Sequence, residues 1–282
     1  MNTLFFRGAA VAATVLLSAA SLHAQSSKLY GVTFYSNELL QVDTTTGAGS
    51  AVATLSAPVS PYGIAFRGSH LYTFDAGSDR IWEINKSTGA LSGAIDIGVG
   101  NLTGEGDLAF RSDGTGFLSS ALKPDFTVSN DLFRFDVTTG TSTRIGTTAV
   151  VLDGMAFVGS TLYGIGQEAD AKLYIVNQTT AALTEVGALG VTNNSLFAGL
   201  AARSDGSLYA AINDQLFAIN RTTGAAHSLD PTVLDTGYSS VSGLAFSPVP
   251  EPSVYGAAGV GTLMLVAWFR RKRSQAKIAS AV

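Results

Sequence analysis

The sequence predicts an all-β chain: a β-propeller of about five blades whose C-terminal strand closes the first blade, flanked by an N-terminal signal peptide and a C-terminal short transmembrane helix. Three observations predict it. A four-residue motif recurs at near-constant spacing along the chain, and a strand-and-turn motif recurs five times between its copies. The incomplete repeats at the two ends also complement each other.

Composition sets the frame. With 31 glycines among 282 residues, 13 % charged side chains and 46 % hydrophobics, the chain has ample apolar material to bury and many residues suited to tight turns. The net charge of −4 hides a split: between Gln25 and Val249 lie eleven basic and twenty acidic residues, while five basic residues cluster from Arg270 to Lys277. An acidic body with no basic stripe argues against nucleic-acid binding, which requires Lys and Arg to displace counterions. The absence of Cys excludes disulfides, thiolate catalysis and Cys-ligated metal.

Residues 1–24 form a secretory signal. Arg7 gives a positive n-region, Ala9–Ala20 a short apolar core, and Ala24 the residue before the favoured cleavage bond to Gln25. A buried N-terminal helix is the competing reading.

Residues 25–248 carry the repeat. Gly63-Ile64-Ala65-Phe66 returns as Asp107-Leu108-Ala109-Phe110, Gly154-Met155-Ala156-Phe157, Gly199-Leu200-Ala201-Ala202 and Gly243-Leu244-Ala245-Phe246; the aligned alanines are 44, 47, 45 and 44 positions apart. After the first four copies come short apolar strands at Leu71-Tyr72, Phe117-Leu118, Leu162-Tyr163 and Leu208-Tyr209, and Leu29-Tyr30 matches them without an upstream partner. The third element reads LLQVDTTTG from Leu39, IWEINKSTG from Ile81, LFRFDVTTG from Leu132, LYIVNQTTA from Leu173 and LFAINRTTG from Leu216. Its period-two alternation predicts a strand with one buried face, and its Asp or Asn followed by Gly predicts a hairpin turn. The stretch after each turn is the outer strand. Three to four strands in every 41–51 residues is the length of a propeller blade. The first copy lacks the GxAF strand and the last GxAF strand lacks everything after it, so the two make one blade. Degenerate repeats leave room for a sixth blade, and a two-sheet sandwich is the competing arrangement.

Residues 249–282 have three parts in order: Val249-Pro250-Glu251-Pro252-Ser253, the uncharged stretch 254–269, and Arg270-Arg271-Lys272-Arg273. Sixteen residues of helix reach about 24 Å, short of a ~30 Å hydrocarbon core. The basic cluster stops translocation and leaves the body outside. This order of Pro-Glu-Pro, short apolar helix and terminal arginines resembles the PEP-CTERM sorting signal, although Ser274–Val282 runs on past the arginines. The resemblance implies a signal peptidase and an exosortase-like membrane peptidase as processing partners, and a bacterium that makes extracellular polysaccharide. An ordinary single-span anchor is the alternative; either way the inner membrane is a partner, transient or permanent, through 254–269.

No G-x-S-x-G elbow, P-loop or dinucleotide fingerprint occurs, and the two body histidines, His70 and His227, read as exposed turn and outer-strand residues. The polar group to watch is Glu105, Asp107 and Asp153, at or just before the inner strands of two adjacent blades, where one mouth of the channel lies. Three carboxylates there suit Ca²⁺ or acid/base work on a sugar, but with no Asp-x-Asp-x-Asp calcium loop the favoured reading is that they are solvated loop acids or partners of turn amides. Leu122–Asn130 and Gly164–Lys172 break the blade length and are candidate contact loops. Tyr30, Tyr72, Tyr163 and Tyr209, and Trp82, Phe133, Tyr174 and Phe217, read as packing residues. The expected function is an exported, non-catalytic surface or matrix protein binding polysaccharide or envelope components, without cofactor or metal. An extracellular carbohydrate-active enzyme is the alternative, and a ligand-free spacer a third reading.

Overall fold

The structure is a computed structural model that describes residues 27–75, 77–98, 106–122, 128–193, 197–229 and 237–248. The signal peptide and the whole of 249–282, with Val249, Pro250, Glu251, Pro252 and Arg270, Arg271, Lys272, Arg273, lie outside the described residues, as does Glu105.

Five four-stranded antiparallel sheets make the ring. The first blade holds β1 (Leu29–Thr33), β2 (Glu38–Val42) and β3 (Gly49–Thr54). The second holds β4 (Pro61–Arg67), β5 (His70–Asp75), β6 (Arg80–Ile84) and β7 (Leu91–Asp96). The third holds β8 (Leu108–Phe110), β9 (Gly116–Leu122), β10 (Val128–Asp136) and β11 (Thr141–Thr147). The fourth holds β12 (Leu152–Val158), β13 (Thr161–Gly166), β14 (Asp170–Val176) and β15 (Leu183–Thr192). The fifth holds β16 (Ala198–Ala202), β17 (Leu208–Ile212), β18 (Gln215–Ile219) and β19 (Ala226–Ser228). Last, β20 (Val241–Phe246) pairs with β1, Gly31 opposite Leu244, and closes the first blade as the complementary ends predict.

The inner strands β20, β4, β8, β12 and β16 are the GxAF copies. Each of the five interfaces between neighbouring blades holds its own apolar cluster. This corrects the expectation of one buried face. On β2, Leu39 and Leu40 are both fully buried, Leu39 packing in the cluster shared with the second blade and Leu40 in the one shared with the fifth. A blade is covered on both sides, and exposure concentrates on its outer strand, as on β3, β7, β11 and β15. Each fully buried Leu or Phe contributes about 1.5–3 kcal/mol. The aligned Tyr30, Tyr72, Tyr163 and Tyr209 are all buried in these clusters.

The repeated turn forms as its residues dictate. Thr45 N–H donates to Asp43 Oδ1 (2.7 Å), Ser87 N–H to Asn85 Oδ1 (3.0 Å), Thr138 N–H to Asp136 Oδ1 (2.7 Å), Thr179 N–H to Asn177 Oδ1 (2.9 Å) and Thr222 N–H to Asn220 Oδ1 (2.9 Å). The closing position has positive φ, occupied by glycine in four copies and by Ala181 (φ 60°) in the fourth. The turns of the second to fifth blades each rest against the outer strand of the preceding blade. Where the turn has alanine, that strand offers Gly146, whose Cα–H side faces the Ala181 methyl.

Candidate functional site

Strand direction gives the ring two unlike faces. Inner strands start on the mouth face, together with the connections between second and third strands. The GxAF hairpins and the Asp/Asn turns lie on the other, the hairpin face.

At the mouth the axis is closed by one side chain. Asp107 occupies the column that glycine fills in the other four inner strands, and it is completely buried. Its Oδ1 accepts the N–H of Leu108 (2.8 Å) and its Oδ2 the N–H of Met155 (2.7 Å) from the fourth blade; the N–H of Leu200 from the fifth also reaches the carboxylate. A Cβ on Gly63, from the second blade, would overlap Oδ1. Asp107 therefore touches inner strands of four blades. Burial pushes its pKa well above the usual carboxylate range, and the three amides pull the other way. Below it lies a cavity of about 110 Å³, lined by the last three residues of each GxAF copy.

Asp153 is also buried, 2 % exposed, on β12 in the column of Tyr62, Ala198 and Ser242. Asp107 and Asp153 thus sit on neighbouring inner strands, as the sequence places them. Asp107 is a partner of strand amides. Among the described residues no three His, Asp or Glu side chains come together as a metal site. His70 is exposed in its hairpin, 2.7 Å from Glu83 Oε1, and His227 is exposed on β19. Tyr174 of β14 donates its hydroxyl to Glu168 Oε2 (2.7 Å) in the lengthened loop of the fourth blade; burial and that carboxylate push the phenol upward.

The mouth also carries a feature that the sequence reading passed over. Phe34 and Tyr35 follow β1, Tyr62 starts β4 and Phe197 precedes β16. Phe34 stacks on Phe197 with centroids 4.9 Å apart and leans on Tyr62 at 4.8 Å; Tyr35 stands edge-on to both Phe34 (5.0 Å) and Phe197 (5.7 Å). Tyr35 is 71 % exposed, the most open large hydrophobic among the described residues. The Phe34 N–H donates to Ser240 O (2.9 Å), and Glu38 N–H to Thr33 Oγ1 (2.9 Å), so the loop that presents these rings is pinned at both ends. The signal available was two adjacent aromatics in a short connection, beyond the strand alternation.

Backbone strain gathers on the same face. Asn37, Asp79, Asn213, Asp214 and Ser240 have positive φ in connections there, Asn130 has it at the bulge that opens β10, and Ala181 is the remaining non-glycine case among the described residues. Such positions concentrate at binding surfaces, where the surrounding structure holds them.

No protein-family model and no curated protein matches this sequence. The fold does have solved counterparts. A chain of the nidogen/laminin complex aligns with a TM-score of 0.54 at 12 % identity, covering 79 % of this chain and 99 % of that one. A chain described as a "putative gluconolactonase" aligns with a TM-score of 0.51 at 15 % identity, covering 79 % and 82 %. The chain shares the propeller fold. At these identities the likeness speaks for the fold alone, and it corrects one expectation. The same ring serves a chain described as an enzyme, so the missing nucleophile motifs are no ground for a non-catalytic protein, and that expectation is withdrawn.

Proposed function

We propose that this propeller is exported, sorted to the cell surface by its PEP-CTERM-like tail, and engages carbohydrate at the aromatic mouth. The observation that carries the reading is the four-ring cluster Phe34, Tyr35, Tyr62 and Phe197, drawn from three blades and open to solvent at Tyr35. Pyranose rings have apolar C–H faces that stack on such platforms, while hydroxyls meet polar groups at the rim, here the Asn, Asp and Ser residues of the surrounding loops. A polysaccharide of the envelope is the ligand that fits both the platform and the destination.

Tyr35→Ala is expected to weaken binding of the host's exopolysaccharide roughly fivefold, about 1 kcal/mol, in isothermal titration, with Tyr35→Phe close to wild type. Equal affinities for all three proteins would remove the platform from the reading. The likeness to the gluconolactonase-like propeller adds sugar-lactone hydrolysis as a second reading. Proton release on adding gluconolactone, followed in a pH-stat with and without Ca²⁺, tests it: a rate above the buffer background supports turnover, and none rejects it.

For sorting, the intact mass of the protein recovered from the host's surface is expected to correspond to a start near Gln25 and an end near Pro250. A mass that still contains 254–282, with the protein in the inner membrane, would reject exosortase processing in favour of a permanent anchor.

A further inference from the structure

The hairpin face has the opposite charge to the rest of the ring. Among the described residues it gathers seven of ten basic side chains: Lys28, Arg67, Lys86, Arg111, Arg134, Arg203 and Arg221. Only five of the sixteen described acids, Asp43, Glu83, Asp113, Asp136 and Asp205, lie there. Two of those are spent within their own hairpins. Arg111 Nη2 binds Asp113 Oδ2 at 2.7 Å and Arg203 binds Asp205 at 2.6 Å, and these hydrogen bonds hold both carboxyls far below the usual range. Lys86, Arg134 and Arg221 are exposed, Lys86 with its Nζ over the Phe66 ring at 5.8 Å from the centroid. Arg67, Arg111 and Arg134 line one cleft of about 310 Å³ at the foot of the third blade, together with Asp113 and Asp136, three cations to two carboxylates.

The chain ends leave from this same face. Ser247 N–H donates to Lys28 O (2.8 Å) and Lys28 N–H to Ser247 Oγ (2.9 Å), so the two termini of the ring are clasped beside the basic residues. From Pro248 to the apolar stretch at Val254 is six residues, a reach of at most about 20 Å. A ring held by a membrane-embedded tail therefore keeps its hairpin face within about two Debye lengths of the headgroups.

We propose that the hairpin face is a docking surface for anionic lipid headgroups, so that the tethered ring lies basic face down with its aromatic mouth turned away from the membrane. The orientation rests on the tail being a membrane segment; the charge asymmetry does not. Basic groups that close to an anionic surface are attracted to it, and the acid-rich mouth is repelled.

The test uses residues 25–282, the exported chain before its tail is processed, mixed with neutral phosphatidylcholine vesicles or with vesicles containing phosphatidylglycerol, and a membrane-impermeant amine acylating reagent read by mass spectrometry. Lys28 and Lys86 report the hairpin face and Lys172, at the start of β14, the mouth side. On anionic vesicles, labelling of Lys28 and Lys86 is expected to fall roughly threefold or more relative to Lys172, to recover in high salt, and to recover in the Arg134→Glu/Arg221→Glu variant. Flotation on neutral vesicles reads the tail separately. A chain that floats there and shows equal labelling on both lipids overturns the docking surface while the tail reading stands. A chain that fails to float there has lost the tail reading; the surface then stands if anionic vesicles alone protect Lys28 and Lys86, and falls if they do not. Protection by soluble polyuronate and not by vesicles overturns it in favour of an acidic polysaccharide.

Discussion

Gly243→Ala is expected to destabilise the ring by about 3 kcal/mol or more, read as a shift of the urea unfolding midpoint. The reason lies at the axis. A Cβ on Gly243 would stand 2.5 Å from Gly63 Cα and from Ile64 N, both backbone atoms of the next blade. The same contact runs round the ring: a Cβ on Gly199 would stand 2.8 Å from Gly243 C and Leu244 N, and one on Gly154 would stand 3.0 Å from Leu200 N. Inner strands therefore meet backbone to backbone, and their spacing sets the circumference. An open sheet could slide by an ångström to admit a methyl; a closed ring has to move every other junction with it. Gly31→Ala is the control, because its Cβ would meet only side-chain and backbone atoms at 3.5 Å or beyond without a positive φ. It is expected to cost less than about 1 kcal/mol. A Gly243→Ala protein as stable as Gly31→Ala would show that the inner strands are not in contact.

This packing explains why the architecture was legible. The glycine-alanine column is a record of the axis, since only small residues let five strands approach, and its spacing counts the blades. The complementary ends revealed the closure by β20 for the same reason: an unpaired edge strand needs a partner. The five Asx turns were legible because their hydrogen bonds are local, within three residues. What failed to show were features assembled across blades. The adjacent pair Phe34-Tyr35, Tyr62 and Phe197 come from three distant points of the sequence and belong to no repeat column except Tyr62, whereas the aromatics that do recur in register are core. The Ala181–Gly146 exchange is also a cross-blade pair, so the alanine in the fourth turn reads as a mere lapse until its neighbour is in place. Asp107 was visible as the odd residue of its column, but its partners come from three different blades.

Asp107 is where the second large effect is expected. Deleting its side chain leaves the N–H groups of Leu108, Met155 and Leu200 facing a buried space, at about 1–3 kcal/mol for each unsatisfied donor. Water entering from the mouth can satisfy part of this, so Asp107→Ala is expected to lose about 3–5 kcal/mol at pH 5. Asp107→Asn fills the space but turns an amide N–H₂ towards one of the donors, and is expected to lose roughly half as much. The pH dependence carries the sign that burial dictates. A carboxyl raised in the folded state contributes most below its unfolded pKa of about 4, and that contribution is lost as pH rises through the raised folded value. Neither variant titrates at this site. The stability gap between wild type and Asp107→Asn should therefore be widest in acid and narrow towards neutral pH, as measured by urea midpoints across that range. A gap that widens with pH would mean that the three amides outweigh desolvation and hold the carboxylate ionised. An Asp107→Ala ring as stable as wild type would mean that the axis needs no acceptor, and that the aspartate in the glycine column serves something other than the fold.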